Sequence, residues 1–263
     1  MRALLDLLDL LWPQLCLACG TLVRDSGAAG GGGICGPPLG LCRTCHGRLV
    51  AIDPAASCTT CVRPLPPLGE RSRAALQLCG TCLADPPEFD RLTALWRYET
   101  PLKEVVHAYK FGRLDFLGGH LARALAQAFG ERRRDEDGWT PPDLIVPLPL
   151  PWPRRLARGF NQTELLAWPL ASAFDRPCRR VLARRFFARR QTGQNRTGRV
   201  QATHFLVRNE RAVAGRSILL IDDVVTTGAT LRAASAALRR AGARRIEVAV
   251  VGWTPLEAPL KTF

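Results

Sequence analysis

The chain has 263 residues, 47% of them hydrophobic, which is enough for a packed core in one large or two modest domains and excludes a disordered chain. Its formal net charge is +14, and the excess is local: residues 1–100 carry nine basic and nine acidic side chains, whereas residues 154–216 hold 15 Arg against three acids. That clustering implies an anionic partner, a polyphosphate or a nucleic acid, although the preference for Arg over Lys (34 of 37) also fits a GC-rich genome.

Residues 1–15 read as a short amphipathic helix with Leu4, Leu5, Leu8 and Leu11 on one stripe. Asp6 and Asp9 interrupt the run and no small-residue cleavage site follows it, so it is neither a signal peptide nor a membrane span. No other stretch reaches about 18 uninterrupted apolar residues, so no membrane insertion is expected and the cytoplasm is the expected location. Nine of the ten Cys lie before residue 83. In that compartment paired Cys signal metal rather than disulfides.

The pairs are Cys16-x2-Cys19, Cys42-x2-Cys45, Cys58-x2-Cys61 and Cys79-x2-Cys82. Two-residue spacing lets both thiolates of a pair meet one tetrahedral Zn²⁺, and four pairs complete two sites. The simplest assignment is sequential, Cys16/Cys19/Cys42/Cys45 and Cys58/Cys61/Cys79/Cys82, as in a double zinc ribbon; an interleaved assignment stays open. Four thiolates leave no open position, so both sites read as structural, and so short a module needs metal to fold. Cys35 and His46 are spare ligands read as bystanders, and Cys178 reads as a small buried hydrophobe. SGAAGGGGICGPPLG (26–40) is a loop by composition, and the Pro-rich ADPPEFD (84–90) marks a boundary between residues 1–88 and 89–263.

Beyond that joint, strands and helices alternate. LTALWRY (92–98) is a strand, Thr100 a helix cap with Pro101 in the first helical position, 118–130 a helix and DLIVPL (143–148) a strand. Residues 163–174 are helical, with Pro169 expected to kink or break the helix. SILLI (217–221) is a strand buried on both faces, 229–242 a helix ending at Gly242, and RIEVAVVGW (245–253) another buried strand. The order predicts an α/β fold with a parallel sheet and right-handed crossovers.

Two loops carry the chemistry. In ILLIDDVVTTGAT (218–230), Asp222 and Asp223 end an apolar strand, and Thr226, Thr227, Gly228, Ala229 and Thr230 lead into a helix. Ligands bind at such strand ends, and hydroxyls with backbone N–H groups at a helix start make an anion site. Two carboxylates repel a bare phosphate but suit the 2′- and 3′-hydroxyls of a ribose. Neither a Gly-Lys-Ser/Thr ending nor a G-x-G-x-x-G is present. The stretch is similar, at every diagnostic position, to the thirteen-residue phosphoribosyl-pyrophosphate (PRPP) motif of phosphoribosyltransferases. The second loop, VPLPLPWPRRLARGFNQ (146–162), presents Arg154, Arg155 and Arg158, then Asn161 and Gln162. Arg forks suit pyrophosphate oxygens.

VPLPL, RRLARGFNQ and IDDVVTTGATL, with CLAC, CRTC, CTTC and CGTC before them and FDRLTALWRYETPLKEVVHAYKFG at 89–112, resemble the ComF family of competence-associated proteins, over nearly the whole chain. The resemblance implies a phosphoribosyltransferase-type parallel sheet flanked by helices, preceded by a small cysteine-rich zinc module. It implies that 145–162 faces pyrophosphate and that 184–203 is a closing loop whose Arg184, Arg185, Arg189 and Arg190 add positive charge. Lys110 is a weaker candidate, as much a solvated helix position as a site residue.

Phosphoribosyl transfer needs positioning, Mg²⁺ brought with PRPP and exclusion of water, but no protein nucleophile. On this reading Asp222 and Asp223 are the catalytic pair and the acceptor is undefined. A second reading makes the chain a nucleic-acid-handling protein on the same fold. Its basic segment, with Trp152 and Phe160, would bind single-stranded DNA during uptake, and PRPP would be a regulatory ligand. A third makes it an adaptor whose zinc ribbons dock competence or recombination proteins.

Overall fold

In a computed structural model of the chain, residues 15–23, 38–66, 77–112, 114–135, 139–185 and 204–255 are described. The leading helix, Cys35, most of the Gly-rich loop, Arg189 and Arg190 lie outside them.

The strands are β1 (Arg91–Arg97), β2 (Leu144–Pro147), β3 (Leu182–Arg185), β4 (His204–Val207), β5 (Ser217–Ile221), β6 (Val224–Val225) and β7 (Arg245–Trp253). The helices that flank them are α1 (Leu102–Phe111), α2 (Phe116–Asp135), α3 (Trp152–Arg158), α4 (Gln162–Phe174) and α5 (Ala229–Arg240). The main sheet is parallel in the order β1-β7-β5-β2, with β6 added to β7. β3 and β4 form a separate antiparallel ribbon.

The alternation along β5 explains why its sequence is apolar without interruption. Ile218 and Leu220 enter one core with Leu231, Ala234 and Leu238 of α5, while Leu219 and Ile221 enter the other with Leu121 and Leu125 of α2 and Leu166 of α4. Successive side chains of a strand point to opposite faces, so a central strand covered on both sides must be apolar at every position. All four are fully buried, each contributing roughly 1.5–3 kcal/mol relative to exposure.

The cysteine module is sewn to this sheet. Ile52 N–H donates to Leu95 O at 3.0 Å and Arg97 N–H to Val50 O at 2.8 Å, so residues 50–52 run antiparallel along β1 and cover its edge. Cys16, Leu39, Leu41 and Cys45 belong to the same core as α1 and α2.

Two helix expectations change in detail. Pro101 occupies the cap before α1 rather than its first turn, with Thr100 preceding it. α4 runs unbroken through Pro169, whose ring is exposed, and the neighbouring Leu166, Ala167, Leu170 and Ala171 are all buried. Packing of that face outweighs the single lost hydrogen bond.

Candidate functional site

β5 ends at Ile221 opposite Ala249, and the chain resumes as β6 with Val224 opposite Gly252, in unchanged register. The interruption between them is Asp222 and Asp223. Main-chain bonds fix it: Asp222 N–H donates to Ala249 O at 3.1 Å, and Asp223 O accepts from Val251 at 2.9 Å and Gly252 at 3.1 Å. Both carboxylates are thereby held at the carboxyl end of a central strand, where open α/β sheets bind their ligands.

Thr226, Thr227 and Gly228 then turn into α5. Gly228 is its N-cap at φ +76°, a conformation that a side chain would strain. The Ala229 N–H meets Thr227 Oγ1 at 3.4 Å, and the positive end of the helix dipole at this corner suits an anion.

The two acids are not equivalent. Asp223 is buried, and its Oδ2 receives Gln162 Nε2 at 2.9 Å and Lys110 Nζ at 3.0 Å. Asp222 is half-buried, and its Oδ1 accepts the Asp223 N–H at 2.8 Å. Burial, and then the Asp223 charge, push the Asp222 carboxyl up to about 8, against the opposing pull of that N–H, Lys110 and Arg184.

These groups wall a cleft of about 330 Å³ that also receives Arg154 and Arg158 from α3, Arg184 from β3, and Thr226 and Thr230. Four cations thus meet two carboxylates. Burial lowers the Arg158 and Arg184 guanidinium pKa values, and repulsion from Arg154 adds to it in both, while Asp223 and Asp222 respectively pull the other way. Such a cluster is completed by an anion that takes up the surplus positive charge.

Of the residues expected to meet ligand, Asp222, Asp223, Arg154, Arg158, Gln162, Thr226 and Thr230 are brought together here, and Thr227, Gly228 and Ala229 form the turn between the two threonines. Arg155 and Asn161 are not in this group. Arg154 and Arg158 share a face of α3 by their four-residue spacing, and Arg155 is turned away. It lies with Asn161 on a second cleft of about 200 Å³ beside Trp152, Glu164, Arg180 and Arg208. Asn161 is held by its surroundings: Nδ2 donates to Leu148 O at 3.2 Å and Oδ1 accepts from Thr163 Oγ1 at 3.0 Å. Lys110, the weaker candidate from the sequence, also lines this cleft, in contact with Asp223. Its one signal is that it is one of three Lys in a chain whose other basic residues are Arg.

The cysteines form two clusters, Cys16/Cys19/Cys42/Cys45 and Cys58/Cys61/Cys79/Cys82, with all Sγ atoms of each within 4.8 Å of one another. The pairing is the sequential one. Sγ atoms of Cys19 and Cys42 lie 3.7 Å apart and those of Cys61 and Cys79 3.6 Å, close to the ~3.8 Å edge of a tetrahedron with Zn–S bonds of ~2.3 Å. Backbone N–H groups of Cys42 and Cys79 point at Cys16 Sγ and Cys58 Sγ, each at 3.3 Å, as donors to thiolates do. The donor set fits Zn²⁺. His46 is exposed and outside both clusters.

Residues 120–255 match the phosphoribosyl transferase domain. Over 224 residues the chain is 35% identical to the DNA utilization protein YhgH of Salmonella typhimurium, covering 80% of this chain and 95% of that protein. It is 28% identical over 213 residues to competence protein F of Haemophilus influenzae, covering 80% and 88% of the two. Competence protein ComFC of Bacillus subtilis is 26% identical over 213 residues, covering 78% and 80%. The chain belongs to the ComF family. The fold of this ComF chain is the phosphoribosyltransferase fold, a parallel sheet flanked by helices, and its two four-cysteine clusters lie N-terminal to the matched domain. Among the described residues no helix is long and apolar enough to cross a membrane.

Proposed function

We propose that this chain binds PRPP with Mg²⁺ in the cleft at Asp222 and Asp223, and that it acts in competence, in the uptake or processing of single-stranded DNA in the cytoplasm. One observation carries the reading: a pair of carboxylates, just before a helix N-terminus in the chain, lines one cleft with Lys110, Arg154, Arg158 and Arg184. A ligand that matches has a phosphate, a vicinal diol and a second, heavily charged anion. The first-turn N–H groups and Thr226 and Thr230 would take the 5-phosphate, the acids the ribose hydroxyls, and the arginines the pyrophosphate. The arginines would stabilise the departing pyrophosphate in a phosphoribosyl transfer, and Mg²⁺ arriving with PRPP would share that charge. The two clusters would each hold one structural Zn²⁺.

Calorimetry of the zinc-loaded protein with PRPP and Mg²⁺ tests this. Saturable one-to-one binding is expected, and loss of it in the Asp222→Asn, Asp223→Asn double variant, which should still unfold in one cooperative transition. A wild-type protein that binds no PRPP defeats the reading.

The second reading, a nucleic-acid-binding or adaptor protein in which PRPP is a regulatory ligand, draws on the neighbouring cleft. Trp152 is 68% exposed there beside Arg155 and Arg208, an aromatic platform among cations of the kind that stacks single-stranded bases. Titration with single-stranded DNA across several salt concentrations tests it, and affinity independent of salt removes the backbone-contact claim.

A further inference from the structure

Lys110 is at the site because of how α1 packs, not because of the loop that forms the acid pair. Leu102, Val105, Val106 and Tyr109 are all fully buried and seat α1 in the core. That seating brings Lys110, one residue before the end of the helix, against Asp223. The Tyr109 hydroxyl donates to the Gln162 backbone carbonyl, so adjacent residues of α1 hold both the start of α4 and the acid. Lys110 Nζ and Gln162 Nε2 donate to the same oxygen, Asp223 Oδ2. With two donors on Oδ2, Oδ1 is the oxygen left to a ligand. Gln162 is 3% exposed, and its Oε1 is buried without a hydrogen-bond partner. The amide is therefore held by its donor end on Asp223, and an unfilled acceptor is left at the cleft wall.

We propose that Lys110 is a positioning residue for ribose recognition. Together with Gln162 it fixes Asp223 through Oδ2, so that Oδ1 is presented to a ligand hydroxyl. This rests on the PRPP reading above. The other charged groups lining the cleft come from three elements, Lys110 on α1, Arg154 and Arg158 on α3, and Arg184 on β3, and the Tyr109 phenol is raised by burial and by the Asp223 charge. Lys110 is the one whose ammonium is in salt-bridge contact with Asp223, and it also eases the ionisation of Asp222. Arg154 and Arg158 stand on the segment expected to face pyrophosphate, and Arg184 at the start of the one expected to close over the site and add positive charge. The cations therefore divide by task, Lys110 to the diol side and the arginines to the leaving group.

The division can be read with separate probes on the full, zinc-loaded chain. Lys110→Met should weaken ribose 5-phosphate and PRPP binding at least tenfold at neutral pH, and leave inorganic pyrophosphate affinity within about twofold. The acid limb of its PRPP binding profile should move to higher pH, because Asp222 ionises less readily without the ammonium. Lys110→Arg should restore most of the affinity and the position of the profile. Lys103→Met, at an exposed position on the same helix, should change nothing. Gln162→Leu offers an independent route: it should cost ribose 5-phosphate affinity and spare pyrophosphate, whether or not Lys110→Met folds. Equal losses for pyrophosphate and ribose 5-phosphate in Lys110→Met would show direct phosphate contact and overturn the proposal. So would wild-type affinity and an unmoved profile. A wild-type chain that binds pyrophosphate but no PRPP would overturn the PRPP reading itself, a result distinct from either.

Discussion

Gly118 of α2 lies directly on the Leu165 carbonyl of α4, so close that a Cβ at residue 118 would stand 2.9 Å from that oxygen. Leu165 is four residues before Pro169, which has no N–H to give it. The two departures from ordinary helix chemistry meet at one point: the proline frees a carbonyl, and the glycine lets the neighbouring helix backbone close over it. Gly118→Val should therefore force α2 and α4 apart and cost about 1–3 kcal/mol, the usual range for overpacking a close contact. Urea unfolding monitored by circular dichroism measures it. Stability unchanged to within a few tenths of a kcal/mol would mean that the contact is not tight in solution.

What the sequence made legible follows from where the information sits. β5 and β7 were readable because both faces of each are covered, which writes burial into every position after the first. The acid pair and Gly228 were readable because strand end, turn and helix start are contiguous in the chain. Lys110 was not, since its meeting with Asp223 across 113 residues is set by the packing of Tyr109 and Leu102 and not by any local pattern. The helix through Pro169 was misjudged because the face that overrides the proline is formed by α2. The strand-like run at residues 50–52 was invisible within a segment that has no periodicity, although its pairing covers the exposed edge of β1.

Asp222 gives a pH dependence with a definite sign. Its carboxyl is raised in the folded chain, to about 8, from an unfolded value near ~3.9, so the folded state holds the proton more tightly. Stability should fall as pH rises between those two values, because ionising the group costs more in the fold than out of it. Asp222→Asn should flatten that decline, and urea midpoints measured from pH 5 to 8 compare the two. Parallel curves for both proteins would contradict the placement of this carboxyl. PRPP binding by the wild type should strengthen over the same interval, as the carboxylate becomes available to accept ribose hydroxyls.

Arg154 and Arg155 are adjacent in sequence but line different clefts, which separates the two proposed activities. Arg154→Ala should weaken pyrophosphate and PRPP by about 10-fold or more, in line with the ~1.5–3 kcal/mol of a charge-assisted hydrogen bond. Arg155→Ala should leave PRPP affinity unchanged and reduce single-stranded DNA affinity together with the slope of its salt dependence. If both substitutions affect PRPP equally, the assignment of Arg155 to the second cleft is wrong in solution.

The two cysteine clusters should differ in what their loss does. Metal analysis is expected to find close to two zinc equivalents per chain. Cys16 and Cys45 are buried in the core that holds Leu102, Val105 and Tyr109, whereas Cys58, Cys79 and Cys82 pack in a small cluster of their own with Cys61, Leu65 and Leu78. Loss of a metal from the first cluster should therefore loosen the packing that seats α1, and with it the contact of Lys110 on Asp223. Cys45→Ser should lower the melting temperature more than Cys82→Ser, and it alone should weaken PRPP binding along with zinc content. Each variant should lose about one zinc, since a four-thiolate site does not survive the loss of a ligand at ordinary metal concentrations. Scanning calorimetry and metal analysis on the same samples test both parts. Equal shifts in melting temperature, or PRPP affinity unchanged in Cys45→Ser after zinc loss, would disconnect the first cluster from the cleft at Asp222 and Asp223.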